Sequence, residues 1–145
     1  MGVLDWIGAL GRKKNTECSL GALGESAAVE FLKKAKFRII ARNVRLPIGE
    51  IDVLAESPDR CTVVVVEVKS RVVSAGHSER LPERAITAAK GRKLASLAKA
   101  VSRKKSIAGR PVRIDVVAVE FSGSAAGPKT IRHYPNAIDA NGRRV

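Results

Sequence analysis

The chain is poor in the residues that build zinc sites, disulfides and signal segments. Its 145 residues include two cysteines, Cys18 and Cys61, and two histidines, His77 and His133. The cysteines form no CxxC pair, which excludes a zinc knuckle or a dithiol redox motif and suits a reducing compartment. Two histidines so far apart argue against a His-rich zinc centre. No apolar run is long enough to span a membrane. Residues 1–10 are interrupted by Asp5 and lack a basic start, so they do not read as a signal peptide, and a cytoplasmic protein is expected. Acidic residues are also scarce: 14 Asp and Glu face 27 Lys and Arg, a formal net charge of +13. A chain this basic is expected to seek polyanions, nucleic acid first among them. Charge kept for solubility and attraction to acidic lipid are the alternatives, and the sequence offers no convincing amphipathic anchor for lipid.

What is present is ordinary for a globular domain: 45% hydrophobic and 28% charged residues. A chain of this length buries about two-thirds of its surface in one domain. We place that domain at residues 20–134, between an N-terminal tail (1–19) and a polar, basic C-terminal tail (135–145). Val3, Leu4 and Ile7 give the first tail a short amphipathic turn, either an appendage or a contact for a partner.

Leu23, Ala27, Phe31, Leu32 and Ala35 recur at helical spacing and predict an amphipathic helix over residues 20–36. Residues 37–46 read as a strand, and Pro47 and Gly49 mark a turn. Residues 49–69 read as a hairpin whose second strand holds Val63, Val64, Val65 and Val66, apolar enough to be buried on both faces. A loop containing His77 follows. Ile86, Leu94, Leu97 and Val101 predict a second helix over residues 82–105, started by Pro82 or Glu83. Residues 112–121 form a further strand and residues 130–134 an edge strand. This order implies an α/β fold in which a mixed sheet packs against helices.

Several charges break these patterns. Asp52, Glu67 and Lys69 sit in the hairpin strands, where charge is costly unless it is paired or binds something. Residues two apart share a face of a strand, so Glu67 pairs its direction with Lys69, and Glu50 with Asp52. Strand pairing across residues 57–60 would bring Asp52 near Glu67 or Lys69. Two converging carboxylates with a lysine beside them suit a hard divalent cation, Mg²⁺ or Mn²⁺, and the hydrolysis of a phosphodiester. A structural ion-pair network fits the same spacing. Glu25 lies on the flank of the first helix's apolar stripe, either solvated or reaching a sheet edge. Lys90 falls within the apolar stripe of the second helix, either snorkelling to the surface or serving a site.

The strings Gly21-Ala22-Leu23-Gly24-Glu25, Arg42-Asn43, Gly49-Glu50-Ile51-Asp52, Val66-Glu67-Val68-Lys69-Ser70-Arg71, Lys90 and Arg113-Ile114-Asp115-Val116-Val117 occur in the order of the YraN-like family. The chain resembles these small bacterial proteins over residues 20–121. The resemblance implies a restriction-endonuclease-like fold with a PD-(D/E)xK core, similar to archaeal-type Holliday junction resolvases. By that resemblance Asp52 and Glu67 would be the metal-binding acids, Lys69 the lysine of the motif and Glu25 the helix carboxylate. Glu50 and Lys90 are secondary candidates. The expected activity is metal-dependent hydrolysis of branched or single-stranded DNA, with a homodimer suited to a symmetric substrate. Arg71, Arg92, Lys99, Arg103, Lys104 and Lys105 would contact the nucleic acid. The alternative is a nucleic-acid-binding protein that keeps the nuclease fold without turnover.

Overall fold

Four consecutive valines are satisfied only by burial on both faces of a strand. Val63, Val64, Val65 and Val66 are all fully buried. In the computed structural model, which describes residues 19–74, 86–123 and 127–145, they open the middle strand of a five-stranded sheet. The elements in chain order are α1 (Leu20–Lys34), β1 (Arg38–Leu46), β2 (Gly49–Glu56), β3 (Val63–Val73), α2 (Ala88–Ser102), β4 (Val112–Ser122) and β5 (Pro128–Ile138). The strands lie side by side in sequence order. β1, β2 and β3 are antiparallel, β4 runs parallel to β3, and β5 is antiparallel to β4. The parallel step requires a crossover, and α2 lies within it. This is the α/β class expected from the sequence, consistent with a restriction-endonuclease-like fold. Among the described residues no helix is long and apolar enough to cross a membrane.

The alternation of β3 divides the core between two helices. Val63 and Val65 pack with Leu54, Leu94, Leu97 and Val101 on the α2 side, whereas Val64 and Val66 pack with Ala28, Leu32, Val53 and Val117 on the α1 side. On α2 the buried face is the expected one, but the helix is shorter than expected. It begins at Ala88, where the Thr87 hydroxyl caps it by accepting from the Lys90 N–H at 3.1 Å. It ends at Ser102, and beyond it Ile107 is fully buried in the core. The expected start at Pro82 or Glu83, the loop with His77, and residues 1–18 of the N-terminal tail lie outside the described residues.

On α1 the buried stripe is rotated from the expected one. Leu23 is 44% exposed, while Gly24, Ala28, Val29 and Leu32 are buried. Small residues decide this: a Cβ on Gly24 would lie 1.6 Å from Ser70 Oγ, so the helix backbone rests directly on β3. At the other end of the chain, β5 extends to Ile138, and residues 139–145 fold back on it. Val145 N–H donates to the Ala137 carbonyl at 3.0 Å, and the Asp139 carboxylate accepts from the N–H groups of Asn141 and Arg143. This turn seats on α2, where a Cβ on Gly91 would come within 2.1 Å of the Gly142 carbonyl oxygen.

Two buried acids away from the hairpin's open end hold the sheet together. Asp115 is fully buried and accepts from Arg113 at 2.9 and 3.1 Å and from the Asn136 N–H at 2.9 Å, with His133 Nε2 2.7 Å away. It thereby ties β4 to β5 across an irregularity in their register. Glu56, 3% exposed, pairs with Arg110 at 2.8 Å and Arg38 at 2.7 Å. Burial alone would raise its carboxyl, but the hydrogen bonds from Arg110 and Arg38 outweigh it and hold Glu56 below its ordinary 4.5. Its stabilisation is therefore present above 4.5 and lost as pH falls through the lowered folded value. Glu56→Gln is expected to cost about 2 kcal/mol in chemical denaturation at pH 7. The difference from wild type should shrink toward pH 2; a difference that stays constant contradicts this role.

Candidate metal centre

The antiparallel ladder of β2 and β3 ends at the pair Val53–Val66. Continuing that register would set Asp52 opposite Glu67, but the strands part there. The Asp52 carboxylate takes over, its Oδ2 accepting the Val68 N–H at 2.8 Å. A side chain thus satisfies a donor that the ladder leaves open. Glu67 stays on the α2 side of β3 and is only 4% exposed. Its Oε1 faces two lysines, Lys69 on the same strand and Lys90 on α2, each 3.3 Å away. Its Oε2 is buried and has no hydrogen-bond partner. The structure therefore brings together Asp52, Glu67, Lys69 and Lys90. The Lys90 ammonium, read from sequence as either snorkelling or serving a site, lies against the central carboxylate.

The surrounding charges set the proton affinities. Burial pushes the Asp52 carboxyl up to about 7, and the neighbouring Glu67 and Glu25 add to the rise against the Val68 hydrogen bond and Lys90. Burial likewise raises Glu25, opposed by Arg42, with Glu50 and Glu67 adding repulsion. Glu25 thus belongs electrostatically to the same group. Glu50 is exposed at the start of β2, 3.7 Å from Arg45.

Asn43 was not singled out as a site residue, yet it lies among these acids. It has a left-handed backbone (φ 50°), and the β1–β2 register places it opposite Asp52. With its amide nitrogen toward the acids it donates to Glu25 Oε2 at 2.9 Å and to Glu50 Oε1 at 3.2 Å. Lys93 on α2 was missed as well: a Cβ on Gly49 would meet its Cε at 2.7 Å, which places its stem over the first residue of β2. Only the motif Arg42-Asn43 hinted at the first, and no sequence signal marks the second.

The residues expected to contact nucleic acid divide into two groups. Arg92, Lys99, Arg103 and Lys105 are exposed on α2 and just beyond it, and Lys104 is half-buried. Arg71 is committed to Glu120 on the neighbouring strand, its Nε donating at 2.9 Å.

Among the described residues no three His, Cys, Asp or Glu side chains converge tightly enough to cage a metal by themselves. Mg²⁺ and Mn²⁺ do not require that, because Mg²⁺ keeps several waters and binds through one or two carboxylates. A buried carboxylate oxygen without a partner, beside a second acid that repels it, is the donor set such a cation neutralises. Asp52 and Glu67 are the residues that could hold such an ion.

Residues 24–119 match the model of the family described as Uncharacterised protein family UPF0102. A UPF0102 protein of Symbiobacterium thermophilum is 46% identical over 101 residues, covering 70% of this chain and 81% of that protein. Another, from Geobacter metallireducens, is 38% identical over 121 residues, covering 83% and 93%. Among solved structures, that of Pyrococcus furiosus SfsA in complex with Ca²⁺ aligns with a TM-score of 0.34 and 18% identity, over 81% of this chain and 62% of that one.

The raised Asp52 carboxyl has a consequence for stability. Its folded value of about 7 exceeds the ordinary 3.8, so its contribution is most favourable below 3.8 and falls as pH rises toward 7. Asp52→Asn keeps an acceptor for Val68 and removes the buried charge. In metal-free buffer at pH 8 the variant should melt at a higher temperature than wild type, a stability gain of about 1 kcal/mol or more, with little difference at pH 3. A lower melting temperature at pH 8 contradicts this reading.

Proposed function

We propose that this chain, which belongs to protein family UPF0102, is a divalent-metal-dependent nuclease that hydrolyses DNA phosphodiester bonds. One observation carries the proposal: Glu67 holds an unpartnered, buried carboxylate oxygen beside Asp52 while its other oxygen is anchored by Lys69 and Lys90. Asp52 and Glu67 would hold Mg²⁺ or Mn²⁺. When bound, the cation lowers the pKa of a coordinated water and offsets charge on the scissile phosphate.

The chain's own groups have separable tasks in this reading. Lys69 and Lys90 fix Glu67 Oε1 and so leave Oε2 directed away from them. Both lysine side chains are about one-third exposed, and in this reading their ammonium groups would meet a phosphate oxygen and stabilise its developing charge. Asp52 must lose its proton before it can ligate a cation. The exposed α2 cations, Arg92 and Lys99 with Arg103 and Lys105 beyond, supply the sequence-independent attraction to the phosphate backbone. Resemblance to Holliday junction resolvases makes branched DNA the first substrate to try.

A second reading, a nucleic-acid-binding protein without turnover, is favoured by the exposed cations of α2 and the turn beyond it, Arg92, Lys99, Arg103 and Lys105, which would bind a phosphate backbone without any metal. It predicts DNA affinity with a steep salt dependence and no cleavage.

A cleavage panel separates the two. Four-way junction, flap, single-stranded and duplex DNA are each incubated with Mg²⁺ or Mn²⁺, beside Asp52→Ala and Glu67→Ala. At least one substrate should be cut, each variant should lose about 100-fold or more in rate, and DNA binding should survive. At limiting metal the rate should climb as pH rises through about 7, where Asp52 sheds its proton. A wild-type protein that cuts none of the four with either metal overturns the nuclease reading.

A further inference from the structure

The amide of Asn43 occupies a position that backbone geometry alone does not explain. A left-handed conformation admits asparagine, but it admits glycine at lower cost. What glycine lacks is the amide which, oriented as its acidic neighbours require, directs N–H groups at Glu25 Oε2, 2.9 Å away on α1, and at Glu50 Oε1, 3.2 Å away on β2. Those carboxylates repel one another, and Glu67 and Asp52 add to the negative field. The cations facing the group are divided. Arg42 opposes the charge on Glu25 and spends one guanidinium N–H on Ser26 Oγ at 3.1 Å. Arg45 stands 3.7 Å from Glu50, and Lys90 is held by Glu67. A neutral donor between the two outer acids therefore joins three elements at one point: the helix carrying Glu25, the strand carrying Glu50, and β1, where Asn43 lies opposite Asp52 in register.

We infer that Asn43 is a positioning residue whose amide clamps Glu25 and Glu50 together at the edge of the Asp52–Glu67 pair. It touches neither Asp52 nor Glu67 by any hydrogen bond of the described residues and acts through Glu25. The consequence for catalysis rests on the nuclease reading, whereas the clamp itself does not. With the clamp in place, Glu25 is held toward the centre from α1. Without it, the side chain is free to turn to solvent, and only Arg42 restrains it.

Two variants separate the clamp from a backbone role. Asn43→Gly keeps the left-handed backbone and removes the amide; Asn43→Asp keeps the side-chain shape and replaces the donor with a third acid. The full chain is labelled with ¹³C-glutamate, and Glu25→Gln and Glu50→Gln assign the two carboxyl signals. In metal-free buffer the Glu25 carboxyl should titrate at higher pH in Asn43→Gly than in wild type, and higher still in Asn43→Asp. An unchanged Glu25 titration in both variants overturns the clamp, and so does a shift confined to residues away from Glu25 and Glu50. On a four-way junction with Mn²⁺, Asn43→Gly should lower kcat roughly 10- to 100-fold with KM nearly constant, and adding it to Glu25→Gln should slow that variant no further. Additive losses show that Asn43 does not act through Glu25 and overturn the inference. If wild type cuts nothing, the nuclease reading fails and the carboxyl titration still decides the clamp.

Discussion

The hydrogen bond from the Val68 N–H to Asp52 is the contact on which the rest of the site depends. Two antiparallel strands that part company leave backbone donors without partners, and buried orphans of this kind are costly. Here the donor is satisfied by a carboxylate that sits where the next ladder residue would have been. The cost moves to the carboxylate, which is desolvated and lies beside Glu67, so its proton is retained up to about pH 7. A local solution to strand separation thereby creates a poised acid.

Glu67 pays a similar penalty in a different way. It is embedded in the α2 face of the central strand, and one oxygen is neutralised by lysines from two elements. The sheet provides Lys69 and the crossover helix provides Lys90, so the centre exists only when α2 is docked. That docking is itself closely constrained. Gly91, the residue after Lys90, leaves room for the Gly142 carbonyl, which a Cβ there would meet at 2.1 Å. On the other face, Gly24 allows α1 to rest on Ser70, which carries the adjacent Glu25 toward the same end of the sheet. The acids arrive from separate elements, and small residues set how closely those elements approach.

Much of this architecture was legible in the sequence. The valine run, the break at residues 57–60 and the approach of Asp52 to Glu67 at the open end follow from period-2 alternation and strand register, whereas the parting of the strands after Val53–Val66 does not. The stripe on α1 was misread by a rotation because glycine and alanine carry little hydrophobicity, yet they are the residues that let a helix close on a sheet. Thr87 is the residue that caps α2, a role its sequence position does not advertise, while Pro82 and Glu83, which resemble a first turn, lie outside the described residues. Arg71, expected among the residues that contact nucleic acid, is held by Glu120, 49 residues away in sequence, a tertiary pairing that no local pattern encodes. Asn43 escaped notice for the same reason, since its meaning lies in two acids from two other elements. Lys90 was visible as an anomaly in an apolar stripe, but its partner was not.

The proposal that the two buried carboxylates of Asp52 and Glu67 hold a cation is most directly tested by Mn²⁺ binding. Isothermal titration of the full chain at pH 8 should reveal saturable binding that weakens at least about tenfold in Glu67→Gln. Equal Mn²⁺ binding by wild type and Glu67→Gln, or none by either, would contradict the assignment of this site to a metal.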